Sequence, residues 1–515
     1  MKRFIFFSVL VAGFSSMAIE MTASRMIGNI FSSANLIWAC VIGSIMIYMA
    51  IGNWLGGIFS DKYPDLFHYL ILIFISGVFC CLIPLFSRPL LLKGAQAMDQ
   101  MTLRWVLILF LILLLILFIP MTLLGMIIPF AIKLLNTCYP FCGKVNGQLL
   151  AVSTVGSFIG TMFPSFILIP SVGTNRTFFV IGFLLLLAGA IGQLTNIGSD
   201  KKAEKLMIFC IFLPILLFFL FPSKIKQTKG QIYEKESVYN YIEVVENSGY
   251  TILRLNDGQG IQSIYHPMID NYYGPWEQIL TAPFFQPAPI DLGNIRRAAI
   301  LGNAGGTSAK QLLKVFPDVI VDGFEIDPEI TKVAKEFFDL PSERINIIST
   351  DGRIGLQNSD DQYDIIMVDA YQSPYISVNM CTQEFFQIVS EKLNPEGVLV
   401  MNIGRSDDDR ILLGAISETV NRIFPQIFIV DIPNSYNSVL FAMKKGGSIQ
   451  NLQNNYDLLS GLKNVPALLT ETLSFAIGNI GELPEKRGLV FTDDKAPVEA
   501  ITNQTILRTF FKRNE

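Results

Sequence analysis

Apolar residues fall along this chain in two rhythms. Up to Pro222 they form long runs with few charges, near residues 4–20, 35–58, 69–87, 105–131, 147–170, 177–194 and 206–221. A helix needs about 17–25 apolar residues to cross a hydrocarbon layer ~30 Å thick. Six runs therefore predict membrane-spanning helices. The seventh, 16 residues with Pro214 inside, falls just short and either spans or lies in the interface. Beyond Pro222 the runs shorten and are punctuated by turn residues. Tyr241–Val245 and Thr251–Leu255 read as strands around Asn247-Ser248-Gly249, with a further turn at Asn256-Asp257-Gly258. From Arg297 short apolar runs alternate with helical segments: 298–301, 319–326, 345–348, 365–368, 398–403, 427–432 and 439–443. That spacing of βαβ units predicts a seven-strand, doubly wound sheet.

The fold class expected is thus an N-terminal α-helical transmembrane bundle followed by an α/β Rossmann-like domain with a small β-hairpin region in front. Its expected boundaries are 1–222 for the helices, 223–236 for a linker, 237–290 for the β-region, 291–448 for the Rossmann-like domain and 449–515 for a C-terminal extension. Charge separates the same parts. Residues 1–222 carry 13 Lys/Arg and 6 Asp/Glu, and the remainder carry 26 and 37. An acidic soluble part argues against a nucleic-acid partner. With the N-terminus inside and six spans, the inner loops hold eleven Lys/Arg and the outer ones five; with seven spans each side holds eight. Charge therefore favours six spans and a cytoplasmic C-terminal part. Glu20 and Arg25, five residues apart at the end of the first span, suggest an ion pair or a cavity. Gly156 and Gly160 have the spacing that lets helices approach closely.

Two histidines and seven scattered cysteines argue against a His-based metal site, a Ser-His-Asp triad or a disulfide framework. No metal is expected. Cys138 and Cys142 share a loop, and free thiols are the preferred reading. The candidate chemistry lies at the strand ends. Leu301 runs into Gly302-Asn303-Ala304-Gly305-Gly306, where Gly302, Gly305 and Gly306 permit a tight turn and close approach of a ligand to a helix N-terminus. Glu325 follows 23 residues after Gly302, at the end of the second strand, where a carboxylate can hold two ribose hydroxyls. Asp351-Gly352-Arg353 follows the third strand and places Asp351 to accept from an adenine amine. The fourth strand ends at Asp369, on the carboxyl edge where open α/β sheets bind ligands. Together these features predict an adenosine site.

Residues 230–445 resemble the spermidine synthase (polyamine aminopropyltransferase) family. The likeness is carried by Tyr241-Ile242-Glu243-Val244, Leu255-Asn256-Asp257-Gly258 with Gln262, the Gly loop, Phe324-Glu325-Ile326-Asp327, Asp351-Gly352-Arg353, Val368-Asp369 and Thr382-Gln383-Glu384-Phe385-Phe386. The helical part and the tail Thr492-Asp493-Asp494-Lys495-Ala496-Pro497-Val498-Glu499 resemble the bacterial membrane-fused group of that family. The resemblance implies decarboxylated S-adenosylmethionine as the substrate that plays the cofactor's part. It makes Asp369 the first acid of the catalytic loop, Glu325 the ribose acid and Asp351 the adenine acid, with Gln262 and Gly352 lining the same pocket. It also implies that two amine-side acids are missing, since their positions fall on Gln372 and Ala304.

Tyr371, Gln372 and Tyr375 are the substrate-loop candidates, with Pro374 stiffening the loop. Asp407-Asp408-Asp409 reads as the cap of a following helix. The leading expectation is a multi-pass bacterial inner-membrane aminopropyltransferase acting on putrescine or a related amine, with the lipid bilayer as its other partner; a homo-oligomer is left open. The alternatives are a methyltransferase using intact S-adenosylmethionine, which fits the two missing acids, and a non-catalytic polyamine transporter or sensor.

Overall fold

A computed structural model describes residues 1–31, 35–99, 103–136, 142–194, 201–222, 225–256, 258, 260–341, 343–372, 375–406, 409–485 and 488–512. The chain forms two compact units, residues 1–229 with 234–241, and residues 230–233 with 242–515.

The first unit is helical: α1 (Lys2–Phe31), α2 (Asn35–Lys62), α3 (Leu66–Asp99), α4 (Leu103–Asn136), α5 (Cys142–Phe163), a π turn (Pro164–Leu168), α6 (Ile169–Val172), α7 (Thr174–Leu194) and α8 (Lys201–Leu220). Among the described residues six helices are long and apolar enough to cross a membrane, the last being Thr174–Leu194. In α8 the shorter apolar stretch Phe209–Leu220 is not one of them. Glycines set the helix pairing by letting the helix backbones come into close van der Waals contact. A Cβ on Gly156 would lie 2.2 Å from Leu10 O, and one on Gly160 2.1 Å from Phe14 O, so α1 packs backbone to backbone on α5. Gly52 meets Thr122 O on α4 in the same way, and Gly182 meets the Cys81 side chain and Gly77 O on α3.

The expected Glu20–Arg25 pair does not form. Arg25 lies 3.8 Å from Glu236 and donates to Ser237 O (2.9 Å). Glu236 is buried and accepts from Asn29 Nδ2 (2.8 Å) and from Thr174 N (2.6 Å) and Oγ1 (2.5 Å), so it satisfies the first backbone donor of α7. Glu20 is buried without a polar partner among the described residues. The pairing failed because a carboxylate that also caps a helix outcompetes one that offers charge alone. Cys138 lies outside the described residues, as does the side chain of Cys142.

The C-terminal part opens with β1 (Gln231–Glu236), β2 (Tyr241–Asn247), β3 (Tyr250–Leu255) and β4 (Ile261–Tyr265), a four-stranded sheet in that order. The stretch expected as a linker, 223–236, thus contains a strand, and the expected hairpin gains a strand on each side. Then follow β5 (Arg297–Leu301), α9 (Thr307–Val315), β6 (Ile320–Phe324), α10 (Pro328–Phe337), β7 (Ile345–Ile348), α11 (Gly352–Asn358), β8 (Tyr363–Val368), β9 (Tyr371–Gln372), β10 (Tyr375–Ile376), α12 (Gln383–Lys392), β11 (Leu393–Gly404), α13 (Ile411–Val420), β12 (Gln426–Asp431), β13 (Asn437–Met443), α14 (Ile449–Ser460), α15 (Ala467–Gly478), β14 (Ile480–Gly481) and α16 (Val498–Lys512).

The main sheet has the order β14-β12-β13-β11-β8-β5-β6-β7. Strands β11, β8, β5, β6 and β7 are parallel, whereas β13 runs antiparallel to both β11 and β12. This corrects the sequence reading in two respects. No helix separates β12 from β13, because five residues around Asn434, which has a positive φ of 57°, close a hairpin. An eighth strand from the C-terminal extension pairs with β12. The continuous apolar runs of the inner strands are explained by burial on both faces. Ala298, Ile300, Ile365 and Met367 enter the core under α9, α14 and α15, and the alternate residues Ala299, Leu301, Ile366 and Val368 enter the core under α12 and α13.

Candidate active site

The crevice at the carboxyl ends of β5, β6, β7 and β8 is built first by the backbone after β5. Gly302 adopts a φ of +91° and Gly306 one of +81°, a region open to glycine and costly for other residues. A Cβ on Gly302 would sit 2.4 Å from Asp369 O, so only glycine lets the loop lie against the end of β8. Gly302 N and Asn303 N both donate to Phe324 O (2.9 and 3.2 Å), which folds the loop over β6. Strand β4 seals its other side. Ser263 Oγ accepts from Gly305 N (2.8 Å), and Thr307 Oγ1 bridges the N–H and C=O of Ile264. Gln262, next to Ser263, is half-buried, and its carbonyl receives Trp276 Nε1 at 3.4 Å.

Glu325 leaves the end of β6 only 6% exposed. Its carboxylate accepts from Ala304 N and Asp327 N, each at 3.0 Å. Burial nevertheless dominates and pushes its carboxyl up to about 7. An acid held this way charges readily when a ligand brings two more donors, as the hydroxyls of a ribose do. Asp351 spends Oδ1 on Arg353 N (2.9 Å) and Ile354 N (3.1 Å), the first turn of α11. Its other oxygen receives Asn379 Nδ2 at a long 3.3 Å and is the one open to a ligand. Gly352 follows directly, and a Cβ there would press on Met380 and Leu301.

Asp369 directly follows β8 and is half-buried. Asn402 Nδ2 donates to its Oδ1 at 2.9 Å, and burial still raises its carboxyl to about 6. Tyr371 turns inward: its hydroxyl donates to Asn402 O (3.0 Å) and accepts from Gly404 N (2.9 Å), tying β9 to β11. Tyr375 is buried, with its hydroxyl on Asn503 Oδ1 at 2.6 Å. Both hydroxyls are therefore committed within the protein. Gln372 pairs with Tyr375 through its backbone; its side chain and Pro374 lie outside the described residues. Asp407 and Asp408 also lie outside them, while Asp409 accepts from Ile411 N (3.1 Å) at the start of α13. The Gly loop, Glu325, Asp351 and Asp369 thus meet along one edge, with Gln262 on the neighbouring β4.

Sequence reasoning missed three contributors, Asn402, Ile326 and Ile354. Asn402 interrupts the apolar run 398–403, and a lone polar residue in a buried strand has to find a partner. Asn379, which the sequence places with Tyr371 and Tyr375 on the loop after Asp369 as a group that could bond to the acceptor, reaches Asp351 instead. Ile326 and Ile354, one and three residues after Glu325 and Asp351, remain 42% and 55% exposed and leave apolar surface beside the two acids. Among the described residues no three His, Cys, Asp or Glu side chains are grouped to hold a metal.

Residues 281–455 match the family described as the spermine/spermidine synthase domain. A probable polyamine aminopropyl transferase of Bifidobacterium longum is 36% identical over 285 residues, which cover 52% of this chain and 61% of that one. The polyamine aminopropyltransferase of Vibrio vulnificus is 27% identical over 282 residues, covering 50% and 91%. A crystal structure of a probable spermidine synthase from Corynebacterium glutamicum superposes with a TM-score of 0.37 at 20% identity, over 50% of this chain and 96% of that one. The chain thus spans less than two thirds of the Bifidobacterium relative. Over residues 281–455 the chain is thus similar to the spermine/spermidine synthase family.

Proposed function

We propose that this chain is a membrane-bound aminopropyltransferase of polyamine biosynthesis, moving the aminopropyl group of decarboxylated S-adenosylmethionine to putrescine or a related amine. The observation that carries this reading is Asp369, set by Asn402 beside the Gly loop on the edge that also holds Glu325 and Asp351. In the reaction the amine nitrogen attacks the carbon next to the sulfonium. The C–S bond breaks, its electron pair neutralises the sulfur, and methylthioadenosine leaves. The nitrogen must shed a proton, and a carboxylate with a pKa near 6 can take it. Glu325 would hold the ribose and Asp351 the adenine amine, with Ile326 and Ile354 offering apolar contact to the base. Asn402 Oδ1 is buried and has no partner among the described residues. The six apolar helices support an inner-membrane location, and the excess of inner-loop lysines and arginines supports a cytoplasmic soluble part.

A second reading, a methyltransferase using intact S-adenosylmethionine, is favoured by Ala304. Its N–H is bound to Glu325 and its methyl brings no charge to the loop, so the amine side is short of carboxylates. Mass spectrometry of the nucleoside released by the full chain in detergent separates the two. Amine-dependent methylthioadenosine is the expected product; S-adenosylhomocysteine would transfer the assignment to methyl transfer.

Asn402→Ala is expected to move the acidic limb of the kcat/KM profile to higher pH by about one unit. The amide N–H lowers the Asp369 pKa, and a hydrogen bond to a charged group contributes about 1.5 kcal/mol or more, with about 1.4 kcal/mol per pKa unit. An unmoved limb with reduced amplitude would mean that Asn402 only supports the fold.

A further inference from the structure

The C-terminal extension lies outside the matched region 281–455, yet it closes a ring of polar contacts around the adenine-side acid. Phe491 and Val498 are buried, which anchors the segment between them in the core under α12 and α13. Phe491 O accepts from Gln383 N (2.9 Å), and Thr492 and Lys495 exchange backbone hydrogen bonds in a tight turn. That turn presents Asp493. Its two carboxylate oxygens receive Arg353 Nη1 (2.7 Å) and Nη2 (2.8 Å), the paired fork geometry that is among the stronger charge-assisted arrangements. Oδ1 also takes Thr382 Oγ1 (2.7 Å), the N-cap of α12.

The ring then returns to the site. Arg353 Nη1 donates to Asn379 O (3.0 Å), and Asn379 Nδ2 reaches Asp351 Oδ2 (3.3 Å). Arg353 N meanwhile donates to Asp351 Oδ1. The two oxygens of Asp351 are thus oriented by the backbone of Arg353 and by the side chain of Asn379, and both residues are held by one guanidinium that Asp493 grips.

We propose that Asp493 is a positioning residue of the nucleoside site: through Arg353 and Asn379 it sets the direction in which Asp351 offers its free oxygen to the adenine amine. The proposal rests on the reading of Asp351 as the adenine-side acid. It gives the tail segment a role in nucleoside affinity that the matched domain alone does not contain. A merely structural ion pair would lower the melting temperature and leave affinity alone. A positioning role changes affinity and local opening together.

The test uses the full chain in detergent with methylthioadenosine as probe. Calorimetry reads affinity, and amide hydrogen exchange reads the first turn of α11. Asp493→Asn is expected to weaken binding about tenfold, equivalent to about 1.4 kcal/mol, and to speed exchange at Arg353 and Ile354 while β5 to β8 stay protected. Asp493→Glu should restore both. If Asp493→Asn does not fold, Arg353→Lys, which keeps the charge and loses the fork, tests the same ring. Affinity within twofold of the unmodified chain, or faster exchange spread through β5 to β8, overturns the proposal. Asp351→Asn is the companion variant. If it binds the probe undiminished, the reading of Asp351 fails and the positioning role falls with it. Binding lost in Asp351→Asn but kept in Asp493→Asn removes the positioning role alone.

Discussion

Asp369→Asn is expected to lower kcat by roughly 10²–10⁴-fold, the usual contribution of a positioned general base, while the dissociation constant for methylthioadenosine changes little. The split follows from the geometry. Asp369 directly follows β8, and its backbone carbonyl lies against Gly302, so the loop is shaped by the main chain at this position and not by the carboxylate. Asparagine keeps that main chain and nearly the same volume, and loses the capacity to accept a proton. In the unmodified chain, burial raises the Asp369 carboxyl to about 6. The rate should therefore rise with pH as Asp369 deprotonates through about 6, and the variant should lack that limb. Rapid-mix kinetics with separate nucleoside binding would check this. Loss of nucleoside affinity in parallel with kcat would show instead that the carboxylate holds the loop, and the base assignment would fall.

Glu325→Gln carries the other large effect, and it has two opposite signs. Nucleoside affinity should drop by roughly 10- to 150-fold, since a hydrogen bond to a charged acceptor contributes about 1.5–3 kcal/mol and the variant has no charge to offer the ribose. Stability should move the other way with rising pH. The folded-state value of Glu325 is raised to about 7 from an ordinary 4.5. A raised carboxyl contributes stability that is fully present below about pH 4.5 and is lost as pH climbs through about 7. That loss amounts to about 3 kcal/mol at about 1.4 kcal/mol per unit. Glutamine does not titrate and escapes it. It retains one acceptor for the N–H groups of Ala304 and Asp327 and leaves the other facing an amide, a cost that does not depend on pH. Unfolding free energies at pH 4 and pH 8 should thus diverge between variant and parent by about 3 kcal/mol in the variant's favour. A gap that stays constant with pH would sink the claim that burial of Glu325 opposes folding. A site residue that destabilises the free protein and strengthens ligand binding is consistent with selection for function at this position.

Much of this arrangement was legible before any coordinates. The Gly loop and the acids Glu325, Asp351 and Asp369 could be placed because each follows a short apolar strand, and βαβ winding brings strand ends to one edge. Tyr371 and Tyr375 were less legible. Two tyrosines after a strand look available to a substrate, yet both hydroxyls are spent on Asn402 O, Gly404 N and Asn503. The β12–β13 hairpin was read as a crossover because strand periodicity is the same in either direction, and only pairing with β11 shows that β13 is reversed.

What the sequence by itself determined are properties of local geometry: helix length against bilayer thickness, strand alternation, and the glycines whose φ values the loop after β5 requires. Tertiary structure decided which polar group answers which. Asn402 meets Asp369 across 33 residues, Glu236 displaces Glu20 as the partner of Arg25, and Asp493 reaches Arg353 across 140. Periodicity constrains a residue's face and not its partner. A buried polar group must be satisfied by whatever part of the chain folds back to it, and that depends on the path of the whole fold.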